Sequence, residues 1–153
     1  MLLADDHARV LHVLDEDECH RLLRSAPVGR LAFTEGALPT IQPVSFVVAG
    51  DDVVIPTGTG SKVAVAARGA VVAFEVDEFD AARRTGWNVT VVGPSRVISE
   101  PAEVAALDAL GARDWAPAGV RCYVAVRIAL VRGRRLALAP AVVPAASAPP
   151  DRA

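Results

Sequence analysis

Lysine is almost missing from this chain: Lys62 is the only one, and the other fifteen of its sixteen basic residues are arginines. Histidine is scarce as well. His7, His12 and His20 all fall in the first twenty residues, so nothing downstream can complete a Ser-His-Asp triad or a histidine metal site within one chain. The two cysteines, Cys19 and Cys122, are far apart and have no C-x-x-C spacing, which fits reduced thiols rather than a disulfide framework or a metal knot. No apolar run approaches the roughly 18 residues of a membrane helix, and Asp5, Asp6 and His7 stand where a signal peptide would be basic and then apolar. The chain therefore reads as cytoplasmic. An excess of positive charge is lacking too, and a net charge of −2 argues against a nucleic-acid partner. Arg83-Arg84 and Arg132-Gly133-Arg134-Arg135 are local basic spots of the kind usually found on solvated faces.

What is present is a chain of 153 residues, 52% hydrophobic, enough to bury the core of one domain. Asp15-Glu16-Asp17-Glu18 opens a helix: Asp15 can cap it, Glu18 can close a capping box, and Leu14 can pack on Cys19. Cys19, Leu22, Leu23 and Ala26 recur at helical spacing until Pro27. Strands are then expected at 28–34, 40–48, 53–55, 70–76, 87–98 and 122–130, the first three joined by short turns as in an antiparallel meander. Residues 77–86 read as a polar loop, and Gly93-Pro94 as a bulge or edge. Short helices are expected at 63–68 and from Pro101 to about Leu110. A mainly β (α+β) fold follows, a six-stranded antiparallel β-barrel with a few short helices, since closing the sheet removes its edges. The domain is expected to occupy residues 1–139, and 140–153 to be a Pro/Ala-rich disordered tail.

The lone lysine ends the run Thr57-Gly58-Thr59-Gly60-Ser61-Lys62. This run lies between a strand and a helix start, where backbone amides and the helix dipole favour a phosphate. It can also be a plain turn. A P-loop requires Gly-Lys followed by Ser or Thr, but here Ser61 precedes the lysine and Val63 follows it. A dinucleotide fingerprint fails at Val63 as well, and the chain does not alternate strands with helices. Glu75, Asp77, Glu78 and Asp80 could do acid–base work, although solvated carboxylates are far commoner. With no nucleophile-base pair in view, no catalytic residue is assigned, and any reaction would have to be carried by a bound cofactor.

Five short motifs occur in order: Ala26-Pro27-Val28-Gly29-Arg30-Leu31-Ala32, Gln42-Pro43-Val44-Ser45-Phe46, Thr57 to Lys62, Val72-Ala73-Phe74-Glu75-Val76-Asp77, and Gly86-Trp87-Asn88-Val89. In these the chain resembles the pyridoxamine 5′-phosphate oxidase-like flavin-binding proteins, most of all their small actinobacterial members, over roughly residues 10 to 138. The resemblance implies an FMN-binding split barrel that forms a homodimer, with the cofactor in clefts between subunits. It also implies that Pro43, Val44 and Ser45 face the polar edge of the flavin ring, and that Thr57, Thr59, Ser61 and Lys62 form the phosphate turn. Trp87 would lie near the cleft, and Trp115 matches a second family tryptophan.

The implied activity is hydride transfer between the flavin and a small unsaturated or electrophilic substrate. Alternatives that the fold allows are an F420-dependent reductase, or a flavin- or haem-binding protein without turnover. Two positions depart from the family pattern. Pro56 stands where many relatives have arginine, a loss worth about 1.5–3 kcal/mol of phosphate binding, and Ser45 replaces a common asparagine. The C-terminal segment through which true pyridoxamine phosphate oxidases hold their substrate is not matched, so that enzyme is not the one implied.

Overall fold

The computed structural model describes residues 8–58, 60–112, 118–119 and 122–140, without the side chains of Lys62 and Ala66. In chain order the elements are β1 (Arg9–Leu14), α1 (Glu16–Ser25), β2 (Val28–Glu35), β3 (Leu38–Ser45), β4 (Val47–Ala49) and β5 (Asp52–Thr57). They continue with α2 (Lys62–Ala66), β6 (Val71–Asp80), β7 (Thr85–Ile98), α3 (Pro101–Asp108), β8 (Cys122–Arg127) and β9 (Leu130–Leu138).

All strand pairs are antiparallel, in the order β3-β2-β6-β7-β8-β5-β4. Only Phe46 separates β3 from β4, so these two are one bent strand that pairs with β2 through its first half and β5 through its second. That bend closes the path into the expected barrel of six members. The sheet nevertheless has nine strands, because β3/β4 is divided and because β9 pairs with β7 and β1 outside the ring. β7 serves both halves: residues 86–92 pair with β9, residues 95–98 pair with β8, and Gly93-Pro94 spans the crossing.

Two expectations need correction. Residues 77–86 form no loop. β6 runs to Asp80 and pairs with β7 down to Asp80↔Thr85, because Val76, Glu78 and Asp80 continue the alternation and only the four residues between turn. The Arg132 to Arg135 run lies in β9, with Arg132 and Arg134 exposed on one face, as expected of a solvated run, and Arg135 on the other. Residues 122–130 are not one strand either: β8 stops at Arg127, and Leu130 opens β9.

Burial follows the pleat. Val72, Phe74 and Val76 of β6 point into the main core, with Leu31, Val89, Val91 and the α1 residues Cys19, Leu22 and Leu23. Gly29 lets the Phe74 ring lie on the backbone, since a Cβ there would sit 2.2 Å from its Cζ, and Phe46 packs edge-on to that ring at 4.7 Å. In β8 both faces are buried. Val124 and Val126 enter the main core, while Tyr123 and Ala125 meet Ile98, Leu107 and Ala112 beneath α3. Among the described residues no helix is long and apolar enough to cross a membrane.

Asp15 caps α1 as expected, accepting the Glu18 N–H at 2.8 Å. The Glu18 carboxylate leaves the capping box and accepts instead from Arg21 (two bonds of 2.7 Å) and from Arg135 of β9 (2.8 Å). These guanidiniums, Arg21 first, hold its carboxyl down from an ordinary 4.5 to about 2. A depressed carboxyl stabilises the fold above its unfolded value, and that contribution is lost as pH falls from about 4.5 through about 2. Wild type should therefore melt above Glu18→Gln at pH 6, and the gap should close towards pH 2; a gap independent of pH would contradict the assignment.

Candidate functional site

The turn after β5 is built around a pair of hydroxyls. Thr57 ends the strand opposite Cys122, is only 8% exposed, and its Oγ1 lies 2.7 Å from Ser61 Oγ. Ser61 caps α2, accepting the Ala64 N–H at 3.1 Å, and its own N–H donates to the Gly58 carbonyl at 3.1 Å. Gly60 supplies the positive φ of +74° that the turn needs. The Cys122 thiol donates to the Thr57 carbonyl from below at 3.4 Å.

The chemistry follows from a proton count. Two hydroxyls carry two protons, one of which is spent between them, so one remains for an outside acceptor whichever way the pair is oriented. The first-turn amides of α2 open on the same end. Lys62 is the first residue of that helix. Thr59 and Trp115 lie outside the described residues, as does the 141–153 stretch of the expected tail.

Pro43, Val44 and Ser45 pair with Arg30, Gly29 and Val28 of β2. Where β3 bends into β4, Val47 pairs with Val54 of β5, so the end of β3 runs level with Thr57. The structure thus gathers 43–45 and 57–62 at one end of the barrel. Trp87 pairs with Glu78 and Arg135, three residues along β7 from Thr90, whose row runs through Glu75 and Arg30 to Pro43; the far end of β7, Ile98, pairs with Tyr123. Trp87 lines a cleft of about 370 Å³ with Phe79, Asp80, Arg83, Arg135 and Leu136.

Two of the carboxylates weighed for acid–base work, Glu75 and Asp77, belong to a polar group on the outer face of the sheet. Arg30 binds Asp77 at 2.8 Å, and Glu75, two residues along the same strand face, has its carboxyl pushed up by burial and then by Asp77. Beside them Asn88, Thr90, Arg132 and Arg134 line a groove of about 270 Å³. Alternation through 72–77 was the available signal, but the matching face of β9 could not be seen without its pairing.

A protein of Mycobacterium tuberculosis, uncharacterized in function, is 40% identical over 134 residues, spanning 84% of this chain and 88% of that one. The solved structure of the FAD binding protein from Mycobacterium smegmatis is 32% identical, covers 80% of this chain and 95% of its own, and superposes with a TM-score of 0.67. A conserved protein of unknown function from Corynebacterium diphtheriae is 30% identical, with 83% and 98% coverage and a TM-score of 0.69. The sequence model described as pyridoxamine 5′-phosphate oxidase matches residues 15–135, from the cap of α1 to late β9, so the chain is a split-barrel member of that family.

Proposed function

We propose that this protein binds a flavin nucleotide and acts as an oxidoreductase, passing hydride between the flavin and a small unsaturated or electrophilic substrate. The observation that carries this reading is the hydroxyl pair of Thr57 and Ser61 at the start of α2, with one proton left for an oxyanion and the chain's only lysine next in sequence. Such donors suit the phosphate that FMN and FAD share. FMN is the cofactor implied by the motifs, and the 32% identical FAD binding protein brings in FAD. F420 carries a phosphate for the same turn and is the alternative.

When bound, the flavin supplies the hydride chemistry. The chain's own part is to fix it. Thr57, Ser61 and Lys62 hold the phosphate, and the backbone of Pro43 to Ser45, at the same barrel end, faces the ring. Trp87 lies three residues along β7 from Thr90, which shares a row with Glu75, Arg30 and Pro43. A homodimer, implied by the five motifs, completes the cleft in this reading.

The test is the visible absorption spectrum of the purified protein, with the nucleotide released on denaturation identified by mass. A flavin or deazaflavin spectrum with a matching released nucleotide is the expected result. A colourless protein giving no binding heat with FMN, FAD or F420 would sink the reading.

A further inference from the structure

Two hollows lie side by side on β7 and β9. The first is the groove of about 270 Å³. Thr90 pairs with Arg132 and Asn88 with Arg134, so two guanidiniums and two neutral hydrogen-bonding groups stand at the corners of a rectangle about 5 Å by 7 Å. Among the described residues Arg132 and Arg134 make no ion pair, although Arg30, Arg83, Arg96, Arg127 and Arg135 all do. Glu75 and Asp77 do not neutralise them: these carboxylates stand two strands away, about 10 Å, and face Arg30, which binds Asp77 at 2.8 Å and pairs with Glu75. The second hollow is the cleft of about 370 Å³, one row further along. There Gly86 pairs with Phe79 on one side and Leu136 on the other. A Cβ on Gly86 would sit 2.5 Å from Phe79 Cδ1, so the glycine leaves room for that ring to lie against β7, 71% exposed. Both arginines of the cleft are already matched, Arg83 with Asp80 at 3.1 Å and Arg135 with Glu18 at 2.8 Å. One hollow therefore offers unmatched cations, and the other an apolar shelf about 7 Å away.

We infer that the two hollows form one site for a small amphipathic anion, its carboxylate or phosphate held by Arg132 and Arg134 and its flat apolar body laid on Phe79 and Leu136. The inference rests on the functional reading for one point, that such a molecule is the substrate. It narrows that substrate to an unsaturated anion of about one aromatic ring. Either oxyanion suits the groove, since a guanidinium donates in parallel pairs to both. A neutral molecule of the same shape gains the apolar contact alone.

The experiment is isothermal titration of the purified protein with cinnamate and with phenyl phosphate, each against its neutral counterpart, cinnamamide and phenol. At least one anion should bind about tenfold or more tighter than its counterpart, and the tighter anion names the head group. Arg132→Gln/Arg134→Gln should abolish that preference. Phe79→Ser should weaken an anion and its counterpart alike, by about threefold or more, since it removes only apolar contact. The preference of wild type should also shrink as salt rises, which decides the matter should the double variant fail to fold by circular dichroism. Anions that bind no better than their counterparts, a preference that survives loss of both arginines or ignores salt, or affinities untouched by Phe79→Ser would overturn the inference. Protein that holds a flavin but shows no preference for the anions would lose this site and keep the functional reading. Protein that binds them through Arg132 and Arg134 yet holds no flavin would keep the site and lose the reading.

Discussion

Gly93→Ala is expected to cost about 3 kcal/mol or more, or to prevent folding, although it adds a single methyl group. A Cβ at Gly93 would sit 1.8 Å from the Arg127 carbonyl oxygen and 2.9 Å from its carbon, and both of these are backbone atoms. Side-chain overpacking typically costs 1–3 kcal/mol because neighbours can rotate away. Here the neighbour is held. The Arg127 carbonyl accepts the Ala129 N–H at 2.9 Å in the turn between β8 and β9, and Arg127 pairs with Asp52. On the other side β7 is pinned at Val92↔Leu130 and Ser95↔Val126. Ser95 adds a backbone bond of 2.8 Å to the Ala70 carbonyl, and its hydroxyl serves the Ala67 and Ala70 carbonyls at the end of α2. The contrast is Gly50→Ala, which faces open space at a φ of +59° and should cost only the roughly 1–2 kcal/mol of a left-handed residue. Urea unfolding of both variants tests this; a Gly93→Ala loss no larger than that of Gly50→Ala would show that the crossing yields.

The importance of that glycine explains what could be read from the sequence. Alternation and turn residues identified six strands, because each buries one face and ends at a Gly, Pro or Asp cluster, as at Glu35-Gly36-Ala37 and Ala49-Gly50-Asp51. Gly93-Pro94 was legible as a break in a ladder. That it is the place where one strand changes partners was not, since partner exchange is a property of two other strands. β1 and β9 escaped for a different reason. Arg132 and Arg134 give β9 a polar outer face, and a strand with arginine at alternate positions looks like a solvated charge run until its neighbour is known.

The candidate site was legible to the extent that it is local. Ser61 as a cap, Gly60 at positive φ and Thr57 at a strand end all follow from residue type over six positions. The closeness of residues 43–45 to the turn follows only from the bend at Phe46, and the place of Trp87, three residues from the row of Pro43, only from the pairing of β2, β6 and β7. Both are long-range facts. The same holds for the outer-face charge rows, whose carboxylates and guanidiniums are more than fifty residues apart in sequence and are brought together by the pairing of β6, β7 and β9.

The turn itself makes the second large prediction, and proton counting makes it specific. Ser61→Ala removes one hydroxyl but frees the Thr57 proton that had been shared, so one donor still faces the phosphate. Flavin affinity should change by no more than about threefold, alongside about 1 kcal/mol of stability lost with the helix cap. Thr57→Val should likewise leave the Ser61 proton free. The double variant Thr57→Val/Ser61→Ala removes both, and affinity should fall tenfold or more, beyond the product of the single effects. Lys62→Ala acts through charge instead. Lys62 is the only basic residue from Thr57 to Lys62, and a charge-assisted contact of about 1.5–3 kcal/mol corresponds to roughly a tenfold to hundredfold loss. Isothermal titration with FMN and FAD at two salt concentrations separates the two mechanisms: the lysine effect should shrink as salt rises, and the hydroxyl effect should not. Additive losses from the two hydroxyl variants would refute the shared-proton arrangement, and an unchanged affinity in Lys62→Ala would remove this turn from the phosphate site.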